Sequence, residues 1–294
     1  AILADLPIPQ ARGVISSLNE LQSVSVWNGF FDNPMVDVDG VYRRVPVLQR
    51  YQDEYYPSLA LSMLLALFGE NEVQPIIEAD VTGERRALVA VDAAGLRIPV
   101  DQHGAVLVPY RGPQGSFPYV SATDVITGSA DPDTLEGAII LVGTSAAGLL
   151  DLRVTPMSNR YSGVEVHANI LSGMLDERIQ HQPDYTLGVE LIQLVVSGIL
   201  LSLLIPRVSV TVSTLITLVW VAVLVGMNLY IWSEMLWVIP LGYTLILVIT
   251  MYLFQQTTGY FFETRNIAQL ANQFGQYIPP EVVEELSQQD KSVQ

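Results

Sequence analysis

"LGVELIQLVVSGILLSLLI" (187–205) decides how the rest of this chain is read. It carries a single charge, Glu190, and is about as long as a helix needs to be to cross a hydrocarbon core of about 30 Å. Two uncharged runs follow at 208–232 and 236–254. A buried core helix rarely runs so far without charge, so the pattern predicts three transmembrane α-helices across 187–254. The breaks are short: Pro206-Arg207, then Ser233-Glu234-Met235. Positive residues favour the cytoplasmic side and amphipathic aromatics the interface. Arg207 therefore places the first break inside, and Tyr230, Trp232 and Trp237 fit an outer second break. Glu190 and Gln193, near the start of the first run, read as residues that snorkel or pair between helices. An ion path or a small transporter would need polar groups deep in the spans.

Residues 1–186 are of another kind. They hold 23 acids against 11 arginines, in a chain of net charge −16 whose one lysine is Lys291. That balance excludes a nucleic-acid partner, which needs basic patches. With no cysteine there is no disulfide framework, thiolate nucleophile or zinc-thiolate site. The opening "AILADLPIPQARGVISSL" has neither the basic start nor the apolar core of a signal peptide. If this region is exported, a segment preceding Ala1 is expected to have carried it.

The outer region alternates strand-like and helix-like patterns, predicting an α/β domain. Strands are expected at 23–31, 43–51, 87–92, 105–110 and 137–144, where β-branched or alternating runs end at Gly, Pro or Asp. The run "AIILV" within 137–144 reads as a strand covered on both faces. "PSLALSMLLALFGE" (57–70) predicts a buried helix with Pro57 in its first turn and Gly69 near its end. "SATDVITG" (121–128) predicts another, with Ser121 as cap and Asp124 three residues on.

"YSGVEVHANILSGML" (161–175) invites a catalytic reading of His167. On a helix from Gly163, the residues Val164, His167, Ala168, Leu171, Met174 and Leu175 form one apolar stripe. Glu165 is expected to project elsewhere and Asn169 to lie on another face, so no local nucleophile or orienting acceptor serves the imidazole. His167 and Asn169 are read as structural. "DVDGVYRR" (37–44) resembles a calcium loop only in part. Gly40 at loop position six would put Met35 first and Pro46 twelfth, where carboxylates are required. Asp37, Asp39, Gly40 and Arg43 are instead expected to make a tight turn, closed by pairing of Arg43 or Arg44 with the acids. "GTSAAG" (143–148) follows an expected strand but lacks the lysine of a phosphate loop. It remains a connection at a strand's C-terminal end, where α/β domains place ligand crevices. Ser145, Asp151 and Arg153 are its candidate ligand-binding residues.

Four stretches in order, "VDVDGVYRRVPVL", "YPSLALSML", "GAIILVGTSAAGLLDLRVTPM" and "YSGVEVHANIL", followed by the apolar runs, resemble the type-two CHASE domain. The resemblance implies an extracytoplasmic bacterial sensor domain (1–186), three spans (187–254) and a cytoplasmic segment (255–294) in a multi-pass protein of the inner membrane. Family members begin with a cytoplasmic stub, a membrane span and an early α/β segment, so this chain is expected to be a piece of a longer protein. "FFETRNIAQLANQFGQYIPPEVVEELSQQ" (261–289) is similar to the segment preceding class III adenylate and guanylate cyclase domains. Phe274, Tyr277, Pro279, Pro280 and Glu281 match its Phe-x-x-Tyr-x-Pro-Pro-Glu pattern and are its coupling residues. Tyr260, Ile267 and Phe274 with Glu263, Leu270 and Tyr277 form a short heptad seam, expected to pair two stalk helices in a homodimer.

The expected protein is therefore the sensory and coupling part of a receptor with an unidentified extracellular ligand. By resemblance its parent would make a cyclic nucleotide from ATP or GTP with a divalent metal. The chain itself is expected to hold no catalytic residue, metal or cofactor. Histidine kinases, serine/threonine kinases and diguanylate cyclases are the alternative outputs. A membrane-tethered exported hydrolase is the alternative of another class, requiring a nucleophile–base pair that the sequence does not display.

Overall fold

The computed structural model describes residues 6–79, 86–144 and 151–274, with 260–274 as helical backbone. The chain divides into two compact units, one of Ala1–Asp184 with Ile231–Val238, the other of Tyr185–Tyr230 with Ile239–Gln294.

The first unit is mixed α/β, and among the described residues its sheets are small and antiparallel. After a short helical turn α1 (Asn19–Gln22), strands β1 (Arg44–Pro46), β2 (Leu48–Tyr51) and β3 (Glu54–Pro57) lead into helix α2 (Leu59–Phe68). Then come β4 (Val73–Ala79), β5 (Arg86–Ala93), β6 (Leu96–Pro99), β7 (Ala105–Leu107) and the short helices α3 (Ala122–Thr127) and α4 (Pro132–Leu135). The hairpin β8 (Leu152–Arg153) and β9 (Tyr161–Ser162) precedes helix α5 (Gly163–Leu175). β1 pairs with β7, β2 with β3, β8 with β9, and β4-β5-β6 form a three-stranded sheet. Pro75 sits on the edge strand β4, where a missing N–H costs no central ladder bond.

The core gathers where α2 and α5 pack together against the strands. Leu61, Leu64, Val47, Val91, Val106 and Ile170 are all fully buried. α2 forms as its composition dictates, from leucine and alanine between Ser58, whose hydroxyl accepts from the Leu61 amide, and left-handed Gly69 at φ 71°. Pro57 does not open this helix as expected, because it is spent as the last residue of β3. Residues 28–30 lie across the start of α2: the Leu59 amide donates to the Phe30 carbonyl at 2.7 Å and Ser62 Oγ to the Asn28 carbonyl at 2.7 Å. These contacts satisfy groups that a helix start leaves unpaired.

Two expected strands do not form. Residues 23–31 make only an isolated bridge from Phe30 to Ser58, and Val24 and Val26 are largely exposed. Residues 137–144 pair with no strand among the described residues, and Val142 is 90% exposed rather than covered on both faces. An apolar run becomes a strand only where a neighbour completes its ladder, and among the described residues these two lack one. The remaining three segments hold: 43–51 supplies β1 and β2, broken at buried Val47, while 87–92 lies in β5 and 105–110 begins as β7.

The second unit contains α6 (Thr186–Leu204), a 3-10 turn at Ile205–Arg207, α7 (Val210–Tyr230) and α8 (Gly242–Phe274). Two helices, Thr186–Arg207 and Val210–Met235, are long and apolar enough to cross a membrane. The third apolar run differs from expectation. Its first residues, 236–241, are not helical, and the helix that follows reaches Gln255-Gln256-Thr257-Thr258 after 13 residues. Leu201, Ile205, Leu224 and Val248 form the unit's apolar centre. Polar groups tie its helices: Trp220 Nε1 donates to Ser197 Oγ at 3.1 Å, Gln256 Nε2 to Ser213 Oγ at 2.7 Å, and Thr214 and Tyr252 share a hydrogen bond at 2.8 Å. Gln193 is buried, in keeping with a helix-facing role, although its Oε1 and that of Glu190 have no partner. Arg207 turns its guanidinium onto the Leu203 carbonyl at the end of α6, where cations complement the helix dipole.

Candidate functional site

The stretch from Pro109 to Tyr119 has no regular structure and is held by α5. Glu165, in the first turn of α5, accepts the amides of Gly115 at 3.1 Å and Ser116 at 3.0 Å, and the hydroxyl of Tyr119 at 2.8 Å. One turn on, Asn169 accepts the Arg111 amide at 2.9 Å and donates to Tyr161 Oη at 2.8 Å and the Glu165 carbonyl at 2.7 Å. Glu165 and Asn169 are therefore buried, contrary to the expectation that they lie away from the packed face. The helix is enclosed on two sides: Val166, Ile170, Leu171 and Met174 meet the core, so that only part of the expected stripe is packed and Leu175 is exposed, while Glu165 and Asn169 meet the 109–119 loop, whose free amides need acceptors. Burial first, then the Glu165 contact, pushes the Tyr119 phenol up to about 12. Burial also raises Tyr161 to about 12 and raises Tyr110, whose hydroxyl donates to the Tyr42 carbonyl at 2.7 Å.

His167 is buried, with Nε2 at 3.3 Å from the Phe31 carbonyl and no partner for Nδ1. Burial holds its pKa below the usual histidine value, against the smaller pull of the Phe31 carbonyl and Asp151. Among the described residues no hydroxyl is hydrogen-bonded to the imidazole as a nucleophile would be, and the ring packs as a buried group. Asp37, Asp39, Gly40 and Arg43 make the expected turn: Gly40 sits at φ 77°, and Arg43 contacts Asp37 and Asp39 at 2.7 Å each. The guanidinium, with the Val41 amide, lowers the Asp39 carboxyl to about 2. Ser145 lies outside the described residues. Asp151 and Arg153 do come together, 3.4 Å apart, at the start of α5, where Asp151 also accepts the Gly163 amide through its carbonyl. Neither lines the cavity at the other end of α5, and Arg153 stacks over Tyr42.

The cavity lies at the opposite end of α5 and encloses about 550 Å³. Its walls are Leu107–Arg111, Pro156 and Met157, the end of α5 at Gly173 and Asp176, then Arg178, Gln180 and Trp232. α5 stops because Glu177 takes a left-handed conformation at φ 51° and the Arg178 amide returns to the Gly173 carbonyl at 2.9 Å. That reversal buries Ile179 in the core and leaves its neighbours Arg178 and Gln180 on the cavity. Arg111 pairs with Asp176 and stacks over Phe117. Trp232 arrives from residues 231–238, which belong to this unit and bridge to it through His181: the His181 amide donates to the Leu236 carbonyl, and the Val238 amide to the His181 carbonyl, both at 2.9 Å. The sequence does not point to Arg111, Asp176 or Arg178, and it marks Trp232 only as an interfacial aromatic. The usable signal was the alternation Arg178-Ile179-Gln180 after a helix end, with the core residue in the middle.

The CHASE2 domain model matches residues 19–247, a span that runs from the outer unit through α6 and α7 into α8. A search of curated proteins and a search of solved structures returned no match. With most of its length covered by that model, this chain belongs to the CHASE2 family of extracellular sensory domains from signalling receptors.

Proposed function

We propose that this chain is the sensing, membrane-crossing and coupling part of a bacterial inner-membrane receptor. Residues 1–186 sense outside the cell, 187–254 cross the membrane three times, and 255–294 carry the signal inward to an adenylate or guanylate cyclase. The observation that carries the reading is the bridge from His181 to residues 236–238, which assigns the turn after α7 to the sensor's own unit. If α6 and α7 each cross the membrane, that turn and the sensor share one side, and a third crossing by α8 brings the C-terminal segment to the other. The cyclase output is supported by the resemblance around Phe274, Tyr277, Pro279, Pro280 and Glu281; residues 275–294 lie outside the described residues.

The chain has no cysteine, so Ser129→Cys and Ser287→Cys each create a unique label site. An impermeant maleimide applied to intact cells is expected to label the first variant only; labelling of the second would overturn the topology. Expression of the full-length protein in cells lacking their own cyclase should raise cAMP or cGMP. Phosphorylation of a partner without either nucleotide would replace the output and leave the sensor reading intact.

A further inference from the structure

We infer that the 550 Å³ cavity at the end of α5 binds a small organic carboxylate, an acid with one negative charge and an apolar body, through Arg178. The inference rests on reading this unit as a sensor and supplies the class of its ligand. The volume falls in the range of about 300–1,000 Å³ usual for small-molecule sites. Pro109, Met157 and Trp232 provide apolar and aromatic surface for the body of a ligand. The charge follows from what is already paired. Arg111 and Asp176 neutralise each other on one wall, whereas the Arg178 side chain has no carboxylate or hydrogen-bond partner among the described residues. The cavity therefore presents one uncompensated positive charge, in a chain whose net charge is −16.

A guanidinium offers two parallel donors that match the two oxygens of a carboxylate. Gln180 stands two residues away on the same cavity and adds an amide donor. With Arg111 and Asp176 paired, Arg178 is left as a single cation on the cavity, which matches a monoanion rather than a dicarboxylate or phosphate ester. The backbone reversal at Glu177 sets where Arg178 leaves the chain, and buried Ile179 holds that backbone from the far side, while the Arg178 side chain itself is exposed.

The test uses the whole 294-residue chain in lipid nanodiscs, with empty nanodiscs as the blank. The probes are 4-phenylbutyrate and its uncharged amide, titrated by calorimetry. The acid is expected to bind about tenfold or more tightly than the amide, as a charge-assisted hydrogen bond provides. Arg178→Gln should bring the acid down to the affinity of the amide and leave the amide unchanged, which also reports that the variant is folded. Arg178→Lys should keep part of the preference, and Trp232→Ala should weaken both probes. Equal affinity for acid and amide, a preference that survives Arg178→Gln, or no binding of either above the blank would each overturn the inference. A failure here with the expected cysteine labelling leaves the receptor reading standing; binding with inverted labelling does the reverse.

Discussion

Tyr119 donates its hydroxyl to the buried carboxylate of Glu165 at 2.8 Å, across 46 residues of sequence, and so fastens the far end of the cavity loop to α5. Glu165 serves three donors at once, all from residues 115–119. Removing it strands them.

Glu165→Ala is therefore expected to lower stability by about 2–4 kcal/mol, the cost of losing charge-assisted bonds to donors in a buried place. Glu165→Gln keeps the shape and one acceptor and should cost roughly half as much. Chemical denaturation of the chain in detergent measures both. A loss below about 0.5 kcal/mol for the alanine variant would show that water replaces the carboxylate at no cost.

The pH dependence has two sides. His167 and His181 both have pKa values lowered by burial, and Arg97 adds to the effect at His181. The unfolded chain takes up these protons from about pH 6.5 downward while the folded state refuses them, so stability falls as pH drops below that value. His167→Ala should cost about 1–3 kcal/mol at neutral pH and flatten part of the acid slope, with no hydrolytic activity lost. On the alkaline side, Tyr119 and Tyr161 are held near 12, above their ordinary value of 10. Their contribution is complete below pH 10 and is lost as pH rises through 12. Thermal melts of wild type and variant between pH 4.5 and 7.5 check the first statement; an unchanged acid slope in His167→Ala would contradict it.

Two turn positions should respond in opposite directions. A Cβ on Gly29 would lie 2.7 Å from the Ser58 carbonyl carbon and oxygen, main-chain atoms at the start of α2 that have nowhere to move. Gly29→Ala is expected to cost about 1–3 kcal/mol. Ala94 sits at φ 56° beside Gly95 at φ 77°, the paired left-handed residues of a two-residue hairpin turn between β5 and β6. Ala94→Asn should stabilise by about 0.5–1 kcal/mol, because asparagine tolerates that conformation better than alanine. Melting temperatures of the two variants moving the same way would contradict this account.

The stalk prediction concerns helical phase. α8 is unbroken from Gly242 to Phe274, so the third apolar run and the stalk that follows share one helix. One alanine inserted between Ala268 and Gln269 turns everything beyond it by about 100°. Seven residues nearly restore the phase. With the proposed cyclase as output, the single insertion in the full-length protein should change basal cyclic-nucleotide production, and the seven-residue insertion should leave it largely intact. Equal output from both would make the stalk a plain tether.

Periodicity made the helices legible. α2, α3 and α5 lie close to where composition, caps and spacing put them, with Ser121 and Gly69 capping as expected, whereas α2 starts after Pro57 with the unforeseen cap Ser58. The apolar runs that became α6 and α7 were readable from length alone. Strands were legible only where a partner happened to exist: 87–92 had β4 and β6, whereas 137–144 had neither. Pairing is a long-range property, and a single run does not encode its neighbour. The cavity was hidden for the same reason. Arg111, Arg178 and Trp232 come from three separate stretches, and the Glu165 clamp depends on a loop some 50 residues upstream. His167 is buried as expected, but the stripe alone did not mark the buried face, which also takes in Glu165, Val166, Asn169 and Ile170.

The bridge between His181 and residues 236–238 makes the polypeptide a closed circuit. α6 and α7 both lie inside that circuit, since they follow His181 and precede Leu236 in the chain. Val238 is followed by three residues and then by α8, which is about 50 Å long at 1.5 Å per residue. Trp232 stands between Tyr230, the last residue of α7, and Gly242, the first of α8, so any displacement of this cavity wall is passed along the chain in both directions.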